Sequence, residues 1–345
     1  MELIRGQHNL RPRHRGCVAT IGNFDGVHLG HQTILTQLAE QAVQLRLPRL
    51  VITFEPQPQE FFAGPNTPPA RLMRLREKLL ALEELGIERV LCLEFDHRLA
   101  AMPAEAFIDD LLVSRLGIRH LVVGDDFRFG HRRIGDFALL VAAGQRHGFS
   151  VADSHSHILD GERVSSTRVR QALAEGELEL ATRLLGRPYD LCGRVAHGDR
   201  RGRTIGFPTA NIHLHRRVTP VSGVYAVLLG DPALPPWPGI ANVGRRPTVA
   251  GERERLEVHL LDFQGDLYGR HVKVDFLHYL RPEQRFESLT ALQAQIRRDE
   301  QTARTYFAER GIPLPPAPAP APLPPGAGSP SLPLPKGEER SRTGF

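Results

Sequence analysis

The chain has 345 residues, 41% hydrophobic and 24% charged, with a net charge of +5. That length allows two ordinary domains, each with its own core; no apolar run reaches the ~20 residues that cross a bilayer, and the opening MELIRGQHNLRPRHRG lacks a secretory apolar stretch. Three widely spaced cysteines (Cys17, Cys92, Cys192) with no CxxC pair argue against a disulfide framework or a cysteine zinc site and point to a reducing cytoplasm.

Strand-like runs are expected at residues 17–21, 50–54, 90–93, 120–123 and 149–152, separated by helical patterns at 30–45, 72–85, 104–116 and 135–147. In the first of these helices Ile34, Leu35, Leu38, Ala42 and Leu45 make one apolar face. The alternation predicts an α/β unit with a parallel sheet covered on both faces. Such sheets bind ligands beyond the carboxyl ends of their strands, at the topological switch point. Two shorter helices are expected at Ser166–Ala174 and Leu178–Leu185. After LLGRPYDLCGRV the pattern becomes β, with runs at 191–196, 223–229, 256–262 and 272–279 parted by glycine or proline, which predicts a mainly antiparallel barrel or sandwich. SLTALQAQIRRDEQTARTYFAER supplies a closing amphipathic helix capped by Ser288. We place the domain boundary near residues 186–188, giving units 1–186 and 187–311. The proline-rich remainder, 312–345, cannot bury enough to fold and is expected to be disordered, locally polyproline II.

The stretch IGNFDGVHLGHQTIL, residues 21–35, follows the first sheet strand and opens its helix. Gly22, Gly26 and Gly30 allow backbone N–H groups close to an anion, and the helix N-terminus adds favourable potential. His28 and His31 offer ring N–H donors beside it. Alone, the pair would equally be two solvated turn histidines. A zinc reading lacks a third His or Cys at ligand spacing. VSSTRVRQAL, residues 164–173, adds hydroxyls, a helix start and Arg170, a second set of phosphate-binding groups. VVGDDFRFGHRR, residues 122–133, ends another strand in paired acids and aromatics.

In the β-rich half, GRVAHGDRRGRTIGFPTANI, residues 193–212, mixes glycines with basic residues but lacks a P-loop GKS/T. Within it Thr209 and Asn211 present hard oxygens two residues apart, one face of a strand, suited to Mg²⁺ together with phosphates. In RLEVHLLDF, Glu257 shares a face with His259 while Leu256, Val258 and Leu260 take the other. A cleft-facing glutamate there could act as general base, or simply face solvent. The basic charge would also suit a nucleic-acid-binding regulator, yet there is no helix-turn-helix, RRM-type aromatic pattern or concentrated basic helix.

GNFDGVHLGH, VGDDFRFG and VSSTRVR, in that order, resemble the HxGH nucleotidyltransferases, specifically the FAD synthetase module of the bifunctional bacterial riboflavin kinase/FMN adenylyltransferase family, over essentially residues 15–186. GDRRGRTIGFPTAN, GVYAV, ANVGRRPT, LEVHLLDFQGDLYG and the final helix resemble its riboflavin kinase module, over about residues 187–308. The resemblance implies a Rossmann-like first domain, a riboflavin-kinase-type barrel and a cytoplasmic enzyme acting on riboflavin, FMN and ATP. It implies Mg²⁺ with ATP, no tightly bound prosthetic group, no nucleic acid and no membrane. For adenylyl transfer it implies an ATP-binding turn of Gly22, Asn23, Phe24, Asp25 and Gly26. His28, His31 and Arg170 would be catalytic, Ser166 and Thr167 would help hold the triphosphate, and Asp126 would lie on the flavin or adenylyl side. For the kinase it implies a nucleotide loop containing Gly198, Arg203 and Gly206, Thr209 and Asn211 at the metal and ATP, and Glu257 as the base.

Overall fold

The computed structural model describes residues 1–63, 69–197, 206–216, 218–231, 233–248 and 251–314. Gly198 and Arg203 of the expected nucleotide loop, and residues 315–345, lie outside them.

Six parallel strands make the first sheet: β1 (Glu2–Arg5), β2 (Val18–Ile21), β3 (Arg49–Glu55), β4 (Arg89–Glu94), β5 (His120–Gly124) and β6 (Ser150–Ser154). Their order is β1-β4-β3-β2-β5-β6. The chain steps one way from β2 through β3 to β4, then returns to the other side of β2 for β5. The switch point therefore falls between the ends of β2 and β5. β1, which no sequence signal announced, extends the sheet beside β4.

Helix α1 (Leu29–Leu45) starts where the His28 side chain accepts from the His31 N–H and ends at Arg46 in the left-handed region. It buries Leu35, Leu38 and Ala42, but Leu45, expected on the same face, is exposed. After α2 (Pro58–Ala63), α3 (Leu75–Glu84) begins three residues later than its periodicity suggests. The reason is a distant partner: the N–H groups of Leu72 and Met73 go to the Asp25 carboxylate at 3.2 and 3.0 Å. The pattern at 104–116 predicts one continuous helix. After α4 (His97–Ala100), it is instead a short α5 (Ala104–Ala106) running into a π-helix, Phe107–Arg115. There Phe107/Ile108, Leu111/Leu112 and Leu116 are all buried, a four-residue repeat that suits a wider turn, and the Leu116 N–H reaches Leu111 O at 3.0 Å. Helix α6 (Phe137–His147) is capped by Asp136 and Gly148. A two-stranded hairpin, β7 (Ile158–Leu159) and β8 (Glu162–Arg163), leads to α7 (Ser166–Ala174) and α8 (Leu178–Leu185).

The second half closes into a six-stranded antiparallel barrel: β9 (Tyr189–Ala196), β10 (Ala210–His213), β11 (Gly223–Asp231), β12 (Leu234–Thr248), β13 (Gly251–Leu260) and β14 (His271–Arg281), in the order β10-β13-β12-β11-β14-β9. β12 was hidden by Pro235, Pro236 and Pro238. These fall where the strand pairs only with β11, since pairing with β13 begins at Gly239. Leu256, Val258 and Leu260 point into the core, leaving Glu257 and His259 on the opposite face. The closing helix, Leu289–Glu309, is capped by Ser288, packs Ala303 and Phe307 on Val224 and Ala226, and anchors Arg281 through a two-pronged Asp299 pair.

The barrel core does not stop at the barrel. It is continuous with Val169, Leu173, Leu178, Leu184 and Leu185 of α7 and α8, and with Leu72. No helix among the described residues is long and apolar enough to cross a membrane.

Candidate active sites

The turn after β2 is held open by strain and close packing. Phe24 and Val27, neither a glycine, take φ of 47° and 43°, conformations that persist only where surroundings enforce them. Gly26 has φ +86°, and a Cβ there would meet Leu72 Cδ1 at 2.7 Å. Gly22 backs onto the Phe24 ring, at 3.1 Å from a hypothetical Cβ. Phe24 is thus buried, its ring 5.0 Å from that of His31.

His28 and His31 lie with their rings stacked, centroids 3.7 Å apart and 17° from parallel. Burial, with repulsion from Arg163 next, pushes His28 down to about 3. Burial and the His28 neighbour hold His31 well below its usual range. Both rings are therefore neutral near pH 7. Because His28 Nδ1 accepts the His31 N–H at 3.3 Å, its proton sits on Nε2, an available donor.

Asp25 is buried, and its carboxylate takes three donors: the Leu72 and Met73 N–H groups and the Arg170 guanidinium at 2.9 Å. It braces the turn. Ser166 is equally committed, donating to Asp25 O at 2.8 Å, while the α7 cap is Ser165, which accepts from the Arg168 N–H. Thr167 is exposed in the first turn of α7. The Asn23 carbonyl accepts from Thr53 Oγ1 at 3.5 Å. Asp126 stands at the end of β5, largely exposed, 2.8 Å from Arg163. Gly22, Asn23, Phe24, Asp25, Gly26, His28, His31, Ser166 and Arg170 thus converge on one turn at the switch point, with Asp126 on its β5 side.

On the barrel, β10 begins at Ala210, so Thr209 stands one residue before the strand. Asn211 pairs in register directly opposite Glu257. Its Oδ1 is buried and has no partner among the described residues. Glu257 is half-buried beside Arg255 at 3.0 Å. Pro208, Thr209 and Ala210 line a cavity of about 320 Å³ with Phe263, Asp266 and Tyr268. His259 Nδ1, 2.9 Å from Pro208 O, pins this segment. Gly206 has φ +85°.

Family models match in two blocks, FAD synthetase over residues 10–168 and riboflavin kinase over residues 185–307. The bifunctional riboflavin kinase/FMN adenylyltransferase of Escherichia coli (strain K12) is 56% identical over 308 residues, 89% of this chain and 98% of that protein. The chain belongs to this bifunctional family. Its relative from Haemophilus influenzae is 50% identical over 89% of the chain and 99% of that protein. A crystal structure described as a macrolide-efflux protein from Streptococcus pneumoniae has the same fold, with a TM-score of 0.77 and 31% identity over 88% of this chain and 99% of that one.

Several residues shaping the first site carried no motif. Lys78 is fully buried, its Nζ 3.4 Å from Thr53 Oγ1, and its pKa is lowered by burial against the pull of Asp25. The sequence did hold a trace of it, since a lysine there sits on the same helical stripe as Leu75 and Leu82. Arg163 bridges Asp125 and Asp126. Arg187 donates to Gly26 O at 2.9 Å. These contacts span more than twenty residues of chain or join the two halves.

Proposed function

We infer that this chain phosphorylates riboflavin to FMN on its barrel and adenylylates FMN to FAD at the sheet's switch point, with the boundary near residues 186–188. In the first reaction the riboflavin 5′-hydroxyl oxygen attacks the ATP γ-phosphorus and ADP leaves. In the second an FMN phosphate oxygen attacks the α-phosphorus of a new ATP and pyrophosphate leaves.

The observation that carries the reading is the pair of neutral, stacked imidazoles at the helix start beside Arg170. Phosphoryl and nucleotidyl transfers need no protein nucleophile. They need aligned reactants and donors aimed where charge builds. His28 Nε2–H and His31 are read as those donors, with the α1 N-terminus and Arg170 adding positive potential. Asp25 holds Arg170 in place, Ser166 ties α7 to the turn, and Thr167 faces outward toward phosphate. Gly22, Asn23, Phe24 and Gly26 shape the nucleotide turn, and Asp126 with Arg163 borders the flavin side.

On the barrel Glu257 takes the hydroxyl proton, while Arg255 keeps its carboxylate in place. The residues fit Mg²⁺: Asn211 Oδ1 is buried with no partner among the described residues, Thr209 two positions before it lines the cavity that Asn211 itself does not line, and a cation bound largely through phosphates and water needs few protein oxygens. When bound, the ion would neutralise charge on the transferring phosphates. Gly206, with Gly198 and Arg203, belongs to the loop read as closing over the nucleotide. The three free cysteines support a reducing, cytoplasmic setting.

The test is a pair of chromatographic assays with ATP and Mg²⁺. Riboflavin should give FMN and then FAD, and added FMN should give FAD with pyrophosphate. Absence of both products overturns the reading.

A further inference from the structure

The segment joining β3 to α3 is gripped from two sides. On one side the N–H groups of Leu72 and Met73 hold the Asp25 carboxylate, which holds Arg170. On the other, the barrel half holds the Arg71 and Leu72 carbonyls and Glu77, while the Arg71 side chain pairs with Glu55 and Glu60 of its own half. Arg216, between β10 and β11, has a side chain only 3% exposed. Its Nη1 donates to Arg71 O at 2.7 Å and to Leu72 O at 3.3 Å, and its Nη2 pairs with Glu77, itself only 5% exposed. Tyr189 of β9 donates its hydroxyl to the same Leu72 O at 3.2 Å. Glu77 also accepts from the Cys192 N–H at 3.3 Å and the Arg74 N–H at 2.6 Å. The Leu72 side chain is fully buried in the core it shares with the barrel and touches the space beside Gly26.

We propose that Arg216, a residue of the kinase half, is a positioning residue for adenylyl transfer. It fixes the Arg71 and Leu72 carbonyls and Glu77, so that the Leu72 and Met73 N–H groups present Asp25, and through it Arg170, to the triphosphate. A peptide unit is rigid, so holding its carbonyl from the barrel sets the direction of the next N–H toward the turn. The planar guanidinium is what allows one side chain to serve two carbonyls and a carboxylate at once. The inference rests on reading the Asp25–Arg170 turn as the adenylyl-transfer site. It means that the two activities share one chain of contacts, although their chemistry is separate.

The experiment uses the full chain and assays riboflavin phosphorylation and FMN adenylylation separately. Arg216→Lys keeps a cation against Glu77 but loses the two-carbonyl grip. It should lower kcat for FAD formation roughly 10- to 100-fold and raise the KM for ATP in that reaction. The KM for FMN and the rate of FMN formation should stay within about twofold of the parent. Should that single variant fold poorly, Arg216→Gln with Glu77→Gln removes both buried charges and should show the same selective loss. Unchanged FAD formation overturns the proposal. So does a parallel fall in both reactions, or a lower kcat with both KM values unchanged, since each reports only fewer folded molecules. His31→Ala, run alongside, separates the two layers: if it leaves FAD formation intact, the site reading fails. If it abolishes FAD formation while both Arg216 variants behave as the parent, only the positioning role fails.

Discussion

The two reaction centres of this chain are built differently. At the switch point the groups that brace the turn already have partners within the protein, while His31 Nδ1 is buried without one among the described residues. Asp25 takes three donors, Ser166 gives its proton to Asp25 O, and the histidines stack as neutral rings beneath the arginines. On the barrel, Asn211 Oδ1 is buried with no partner among the described residues, and Glu257 pairs with the neighbouring Arg255. Neutral imidazoles can donate to phosphate without first being desolvated as cations, so the first centre is preorganised electrostatically. The second presents oxygens, which gain their role only when a cation and phosphates arrive. One centre is tuned by burial, the other by what it binds.

The sharpest way to break this contrast is to remove the ring donors. His28→Asn keeps a capping acceptor at the start of α1 and His31→Ala removes the second ring. Each should lower FAD formation from FMN by roughly 10²- to 10³-fold, the usual cost of losing one preorganised donor. FMN formation from riboflavin should be untouched in both. A comparable loss in the two reactions would mean that the histidines support the fold rather than the chemistry. On the barrel, Glu257→Gln should lower FMN formation by roughly 10²-fold or more, the scale of general-base assistance, and leave FAD synthesis from added FMN at the parent rate. Retention of FMN formation in that variant would make Glu257 a strand-face residue with no part in the chemistry.

What could be read from the sequence divides along the same physical line. Local patterns were legible. α7 and α8 begin and end where their caps and periodicity put them, and the alternation of Leu256, Val258 and Leu260 with Glu257 and His259 survives in β13. HxGH on the helix start and PTAN running into β10 were legible because their residues are neighbours in the chain. What was lost depends on distant partners. α3 starts late because Asp25, nearly fifty residues upstream, takes its would-be first N–H groups. The π-helix answers to burial on a face that α periodicity did not describe. Lys78 and Arg216 belong to no motif, and their roles come from what the fold brings against them. The prolines of β12 read as breakers because sequence cannot say that one side of a strand is left unpaired there.

The smallest effect separates the two centres by acidity rather than by activity. His28 is held down to about 3 in the folded chain by burial first and by Arg163 second, while an unfolded imidazole titrates near 6.5. Between those values the unfolded chain binds a proton that the folded chain refuses, so stability is fully present above about pH 6.5 and is lost as the pH falls below it. His31, shifted in the same direction, adds to the loss. By the linkage relation a single such ring costs about 2 kcal/mol at pH 5 relative to pH 8. Urea midpoints of the full chain should therefore drop over that interval, and the gap between the parent and His28→Asn should change by roughly that amount, in the variant's favour at pH 5. If His28→Asn and the parent lose stability in parallel from pH 8 to pH 5, His28 is not held neutral by its surroundings, and the preorganised character assigned to the first centre falls with it.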